Sequence, residues 1–162
     1  MCSSDLRDLL YVGTEHGIFL SLDGGAHWLP LNGESLPTVA VDDIVTHPRD
    51  HDLVIGTHGR SVYVMDDVTP FEQWTPRVLT DSLTFFAPRP ATEYYVRGLG
   101  GIWGSRMWTG KNPAFGATFA YFVTDEIEDG VSIAIADTTG KTLKTLTGDG
   151  KPGLHRVQWD FS

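Results

Sequence analysis

Cysteine is nearly missing: the 162-residue chain carries one, Cys2, so no disulfide can close within it. Basic side chains are also scarce. Twelve Lys and Arg against 21 Asp and Glu leave a formal net charge of −9, which repels a phosphate backbone and an anionic membrane surface and argues against nucleic acid as a partner. No stretch approaches the roughly 20 consecutive apolar residues that span a bilayer, and no basic-then-apolar leader opens the sequence. Membrane insertion is therefore not expected, and export cannot be read from the chain directly. A nucleophile elbow, a P-loop and a zinc-type histidine spacing are absent too, and nothing calls for a cofactor or a metal.

What is abundant points to strands. Eighteen glycines, nine prolines and 11% aromatic residues within a 41% hydrophobic composition favour short strands joined by tight turns, because Gly and Pro interrupt helices and aromatics pack well on pleated sheets. The expected class is all-β. The opening run Met1-Cys2-Ser3-Ser4-Asp5-Leu6 matches what a GTG start followed by TGC-TCT-TCC-GAT-CT encodes. Residues 1–6 are thus expected to be a sequencing-adapter scar, with native sequence from Arg7.

Two segments resemble each other without a gap, Leu10 to Asp23 and Leu53 to Asp66. Leu10 falls on Leu53, Gly13 on Gly56, Thr14 on Thr57 and Asp23 on Asp66, each 43 residues apart, within the period of about 40–50 residues of propeller blades. The second copy predicts four strands, at 39–46, 52–57, 61–66 and 71–74. The first predicts equivalents of only the last three, at 8–14, 17–22 and 27–31.

The stretch Ser21-Leu-Asp-Gly-Gly-Ala-His-Trp28 resembles the Asp-box, Ser-x-Asp-x-Gly-x-Thr-Trp, with His27 in the Thr position. Asp23 can accept backbone N–H bonds across a hairpin, Gly25 permits positive φ, Ser21 adds a local bond, and Trp28 is expected to bury its ring between sheets. In the second copy the gapless alignment keeps only Asp66, because Val64, Val68 and Phe71 take the Ser, Gly and Trp positions. Together with the run from Leu36 to Asp67, this is similar to the closing blade of bacterial sortilin-type Asp-box (BNR) repeat proteins, often labelled glycosyl hydrolases. The resemblance implies an exported β-propeller parent, extracellular or periplasmic, in which the Asp-box has a structural role.

Residues 78–113 are too rich in Gly and Pro for regular elements and read as a linker with an aromatic loop. From residue 114 the pattern is again strand-like, with alternation at Val131, Ile133 and Ile135, a turn at Asp137 to Gly140, and a closing run from Gly153 to Asp160. Ile135-x-Asp-x-x-Gly-Lys-x-Leu143 and the closing run are similar to immunoglobulin-like modules of flagellar hook-capping proteins and secreted enzymes. The predicted organisation is a partial propeller over 7–77 and a truncated Ig-like β-sandwich over 114–162, since a sandwich needs about seven strands and four are visible. An unpaired edge and an open apolar face predict poor solubility.

Most of the candidate chemistry lies in the second copy. Asp42 and Asp43 lie on its first strand, where alternation sends them to opposite faces; Asp43 is the candidate carboxylate, although glycoside hydrolysis needs two carboxyl groups about 5–10 Å apart. His58 and Arg60 flank Gly59 in a turn and could hold an anionic or sugar ligand, while Arg60 could instead pair with Asp66 or Asp67. His47, Asp50, His51 and Asp52 mix nitrogen and oxygen ligands without a recognised metal spacing. Trp103 and Trp108 could stack on a sugar or seal an interface. The expectation is a non-catalytic segment whose parent binds a protein or glycan ligand, against the alternative of a xyloglucanase- or sialidase-like propeller hydrolase with its catalytic residues elsewhere.

Overall fold

The computed structural model describes residues 8–33, 36–93 and 115–162. The fold is all-β, built from small antiparallel sheets, and the chain divides into two compact units, Met1–Asp81 and Ser82–Ser162.

In the first unit, β1 (Leu10–Thr14), β2 (Gly17–Ser21) and β3 (Leu29–Pro30) form one three-stranded sheet, and β4 (Val41–Thr46), β5 (Leu53–Thr57) and β6 (Val62–Met65) form another. Their strands are rich in β-branched and aromatic residues, among them Val12, Ile18, Phe19, Val54, Ile55 and Tyr63, which pack well on a pleated surface. Strands β1 and β5 are the two copies of the repeat, and their bounds lie 43 residues apart at both ends. The hairpins that follow differ. Leu10 pairs with Ser21 and Thr14 with Gly17, whereas Leu53 pairs with Met65 and Gly56 with Val62. The offset between copies therefore grows from 43 on the first strand to 44 on the second, and Asp67 occupies the place of Asp23.

Directly paired residues of an antiparallel sheet share a face, so the registers show which face each copy buries. Tyr11, Ile18 and Leu20 of the first copy are buried, with Gly13 in the same face. In the second, Leu53 and Ile55 are buried and Tyr63 and Met65 pack against them. All belong to one core with Leu9, Leu36, Val39 and Val68. The equivalents of Tyr11, Ile18 and Leu20 are Val54, Val62 and Val64, on the other face of the second sheet. The two copies thus meet through opposite faces of the same repeat. Gly13 marks the contact: a Cβ there would lie 2.7 Å from Cγ1 of Val41 on β4, so only a glycine lets the neighbouring sheet approach this closely.

The expected strand at 71–74 is replaced by a single helical turn, α1 (Thr69–Glu72). The first copy turns through Gly24 and Gly25, with φ of 70° and 98°. The second has Val68 and Thr69 at those places, and β-branched residues avoid positive φ. With Pro70 at the start of the helix, the chain continues helically.

The second unit holds β7 (Leu83–Phe85), β8 (Ala117–Val123), β9 (Val131–Ala136), β10 (Thr142–Gly148) and β11 (Gly153–Trp159). They form a sheet ordered β11-β8-β7 and a pair β10-β9. A 3₁₀ turn at Pro76–Leu79 spans the start of the segment expected to be irregular, and strand β7 lies within it; β7 is ordered by pairing with β8, a long-range contact invisible to local composition. The rest of that segment, from Tyr94, lies outside the described residues, as do Trp103 and Trp108. The core centres on the buried Tyr121, whose hydroxyl donates to the Asp149 carbonyl over 2.8 Å. No helix among the described residues is long and apolar enough to cross a membrane.

Candidate functional site

The turn after β2 is held by two side chains. Ser21, fully buried, donates from Oγ to Asp23 Oδ1 over 2.8 Å and accepts from the Gly25 amide over 2.8 Å. Asp23 Oδ1 also accepts from the His27 amide over 2.9 Å, and His27 Nδ1 stands 2.6 Å from Asp23 Oδ2. The Gly24 amide donates to the Asp8 carbonyl, tying the turn to the residues that lead into β1. The His27 amide and ring bonds, with the Ser21 bond, hold the Asp23 carboxyl down to about 2. A carboxylate so occupied is a fastener of the turn. Trp28 differs from expectation: its side of the turn is open and the residue is 41% exposed. A Cβ on Gly25 would stand 3.6 Å from both Leu10 and the Trp28 ring, so the indole lies beside the face of the first copy that the second sheet does not cover.

The gapless alignment puts Asp66 in this place in the second copy, and the register moves it to Asp67. Asp66 is exposed and Asp67 is buried. Asp67 Oδ1 accepts from the Thr69 hydroxyl over 2.6 Å and from the Thr69 amide over 3.3 Å, and the Asp67 amide donates to Asp52 Oδ1 over 2.9 Å. Its φ of 55° is left-handed, a conformation Asp tolerates better than most residues.

The candidate ligand cluster surrounds the hairpin between β5 and β6. The Thr57 hydroxyl and amide both donate to the Ser61 carbonyl, over 2.6 and 3.2 Å, and the His58 amide donates to the Ala40 carbonyl. In the first copy the Thr14 hydroxyl reaches Gly17, one residue nearer; this is where the extra residue enters. His58 Nδ1 lies 3.3 Å from Asp42 Oδ2 at the surface. Asp42, not Asp43, is the carboxylate brought to His58. A bulge between Val41 and Asp43 interrupts the alternation there, and both carboxylates are exposed. Asp43 Oδ1 accepts from the Ile44 amide and shares a row with Gly56 and Val62. Arg60 is exposed and pairs with neither Asp66 nor Asp67; among the described residues it forms no ion pair. The cluster can offer a cation and an imidazole to a ligand at the surface.

The mixed loop after β4 is committed to its own turn. His47 Nδ1 accepts from the Asp50 amide, Arg49 grips Asp50 with two bonds, His51 Nδ1 lies 2.8 Å from Glu72 Oε2, and Asp52 receives the Asp67 amide. Among the described residues no three His, Cys, Asp or Glu side chains converge to hold a metal. A buried residue that sequence reasoning passed over is Tyr11, whose hydroxyl has no hydrogen-bond partner among the described residues and whose acidity is weakened by burial and by the nearby Glu72 charge. Its place in an apolar alternation gave no sign of this.

Among known proteins, no family model, no curated protein and no solved structure matches the chain.

Proposed function

We propose that the chain belongs to an exported Asp-box repeat protein of the β-propeller type, and that it works there by binding a protein or glycan ligand, without catalysis. The observation that carries this reading is the meeting of the two repeat copies through opposite faces, the arrangement that lets equal sheets follow one another in an array. The second unit serves as an accessory Ig-like module. Hydrolysis finds no support in the carboxylates whose acidity is displaced: Asp23, Asp137 and Asp160 are each pushed down by turn hydrogen bonds, opposite to what a general acid requires. Ligand contact falls to His58, Arg60 and the neighbouring Asp42 and Asp43.

Glycan-array and pull-down binding with the full chain test this, alongside turnover assays on glucans and sialosides. The expected result is binding weakened by His58→Ala or Arg60→Ala with no turnover. Turnover that disappears in Asp43→Asn would replace the reading with a propeller hydrolase.

A further inference from the structure

We infer that Asn32-Gly33 is a self-modifying site, which the closed hairpin of β1 and β2 withholds from hydrolysis and an open one exposes to it. The sequence holds two asparagines, Asn32 and Asn112. An asparagine before glycine is open to attack by its own backbone, because the glycine has no Cβ to shield the following nitrogen and bends freely. The Gly33 nitrogen loses its proton to solvent and bonds to Cγ of Asn32; the Cγ–Nδ2 bond breaks, and Nδ2 leaves as ammonia. Water then opens the cyclic imide at either carbonyl, so that amide and water have become acid and ammonia, with aspartate or isoaspartate at position 32. Water is the only co-reactant. Asn112 cannot follow this course, since Pro113 has no N–H to lose.

In the folded chain each group this reaction needs is held elsewhere. Asn32 Oδ1 accepts from the Ile18 amide over 3.1 Å and Nδ2 donates to the His16 carbonyl over 2.9 Å, so both ends of the carboxamide are fixed to the turn and to the start of β2. The Gly33 amide donates to the Leu36 carbonyl over 3.1 Å. The hairpin is shaped around this plug: Gly17 has a φ of 120°, and a Cβ on it would overlap the Asn32 carboxamide. Gly33 itself is exposed, and nothing lies within 4 Å of where its Cβ would sit. No side chain stands in the way of the ring, so the hydrogen bonds do the withholding. Each holds by roughly a fivefold factor, and the three together make the reactive arrangement about a hundredfold rarer than in an open chain. Opening of one hairpin, short of global unfolding, is enough to reach it. The product cannot close the hairpin in the same way. An aspartate has no N–H to give the His16 carbonyl and sets an oxygen against it, and isoaspartate also lengthens the backbone by a methylene. Hydrolysis is thus a one-way record that the hairpin has opened, and it holds whether or not the chain binds glycans.

Peptide mapping by mass spectrometry tests this on the full chain, incubated at mildly alkaline pH with and without denaturing urea, by following the mass shift of amide to acid at Asn32. Asn112 is the internal control. Asp23-Gly24, Asp129-Gly130 and Asp149-Gly150 can form the same ring by losing water, but their products have the mass of the starting chain. Asn32 is expected to convert about a hundredfold faster in urea than in the folded chain, and Asn112 in neither. Gly17→Ala, whose methyl group displaces the carboxamide, is expected to bring the folded rate most of the way to the rate in urea. Thr14→Ala, which removes the hydroxyl that clasps the same turn, takes its place if circular dichroism shows Gly17→Ala to be unfolded, and it too is expected to speed conversion. Equal rates with and without urea, no conversion of Asn32 in urea, or a folded hairpin variant that converts no faster than the wild type overturns the inference. Asn32→Asp is expected to lower the urea midpoint, and an unchanged midpoint would overturn the one-way character of the modification.

Discussion

The two copies of the repeat share a first strand and part company after it. In the first, Thr14 closes a short turn onto Gly17, and the chain then passes through Gly24 and Gly25 into a third strand. In the second, Thr57 closes a turn one residue longer onto Ser61, and Val68 and Thr69 convert the glycine turn into a helical one. Both still place an aspartate after the second strand to accept the turn's hydrogen bonds. The lesson is that the sheet is the repeated object, and that the carboxylate follows strand register and not sequence spacing. It also separates the glycines. Gly13 and Gly56 are the same residue at the same place, yet only Gly13 faces a neighbouring sheet.

That last difference gives the largest expected effect. Gly13→Ala drives a methyl group toward Val41 and should destabilise the chain by about 1–3 kcal/mol, as overpacking does, whereas Gly56→Ala should change stability by less than about 0.5 kcal/mol. Urea midpoints of the two variants check this, and equal losses would break the contrast. Next come the two aspartates. Asp67→Ala leaves the Thr69 hydroxyl and amide of a buried turn without their acceptor and should destabilise by about 1–3 kcal/mol; Asp66→Ala, at an exposed position, should lose clearly less. A reversed order in thermal melts would return the role to Asp66. Ser21→Ala removes a buried hydroxyl that both donates and accepts, for a loss of about 1–2 kcal/mol by the same measurement.

The smallest effect is a pH dependence. The Asp23 carboxyl is lowered in the folded chain to about 2 from an ordinary 3.8. Its contribution to stability is thus present above the ordinary value and lost as pH falls through the folded one. The urea midpoint of the wild type should drop between pH 4 and pH 2 more than that of Asp23→Asn. The exposed position and solvent screening keep the difference modest, and parallel curves would show that Asp23 does not fasten the turn.

Much of the sheet structure was legible because alternation and a repeat are local signals. β1, β2, β4, β5 and β6 fall within the expected runs, and Val131, Ile133 and Ile135 alternate into the second unit as expected. The extra residue in the second hairpin was hidden by the doublet Asp66-Asp67, which gives an aspartate in either register. The bulge at Asp42 has no signature beyond two adjacent carboxylates, so the approach of Asp42 to His58 could not be read. Strand β7 depends on pairing with β8 more than 30 residues away, and Trp28 stays open because its side of the turn faces away from the second sheet. Both outcomes are tertiary, and composition around either residue carries no trace of them.

The central claim is that the first copy's glycine-bearing face is the one that meets the second copy. A double-mutant cycle tests it: the loss caused by Gly13→Ala is measured in the wild type and in Val41→Ala, which trims the side chain a new Cβ would strike. More than half of the loss is expected to disappear in the Val41→Ala background. The same loss in both backgrounds would mean that the two copies do not meet there.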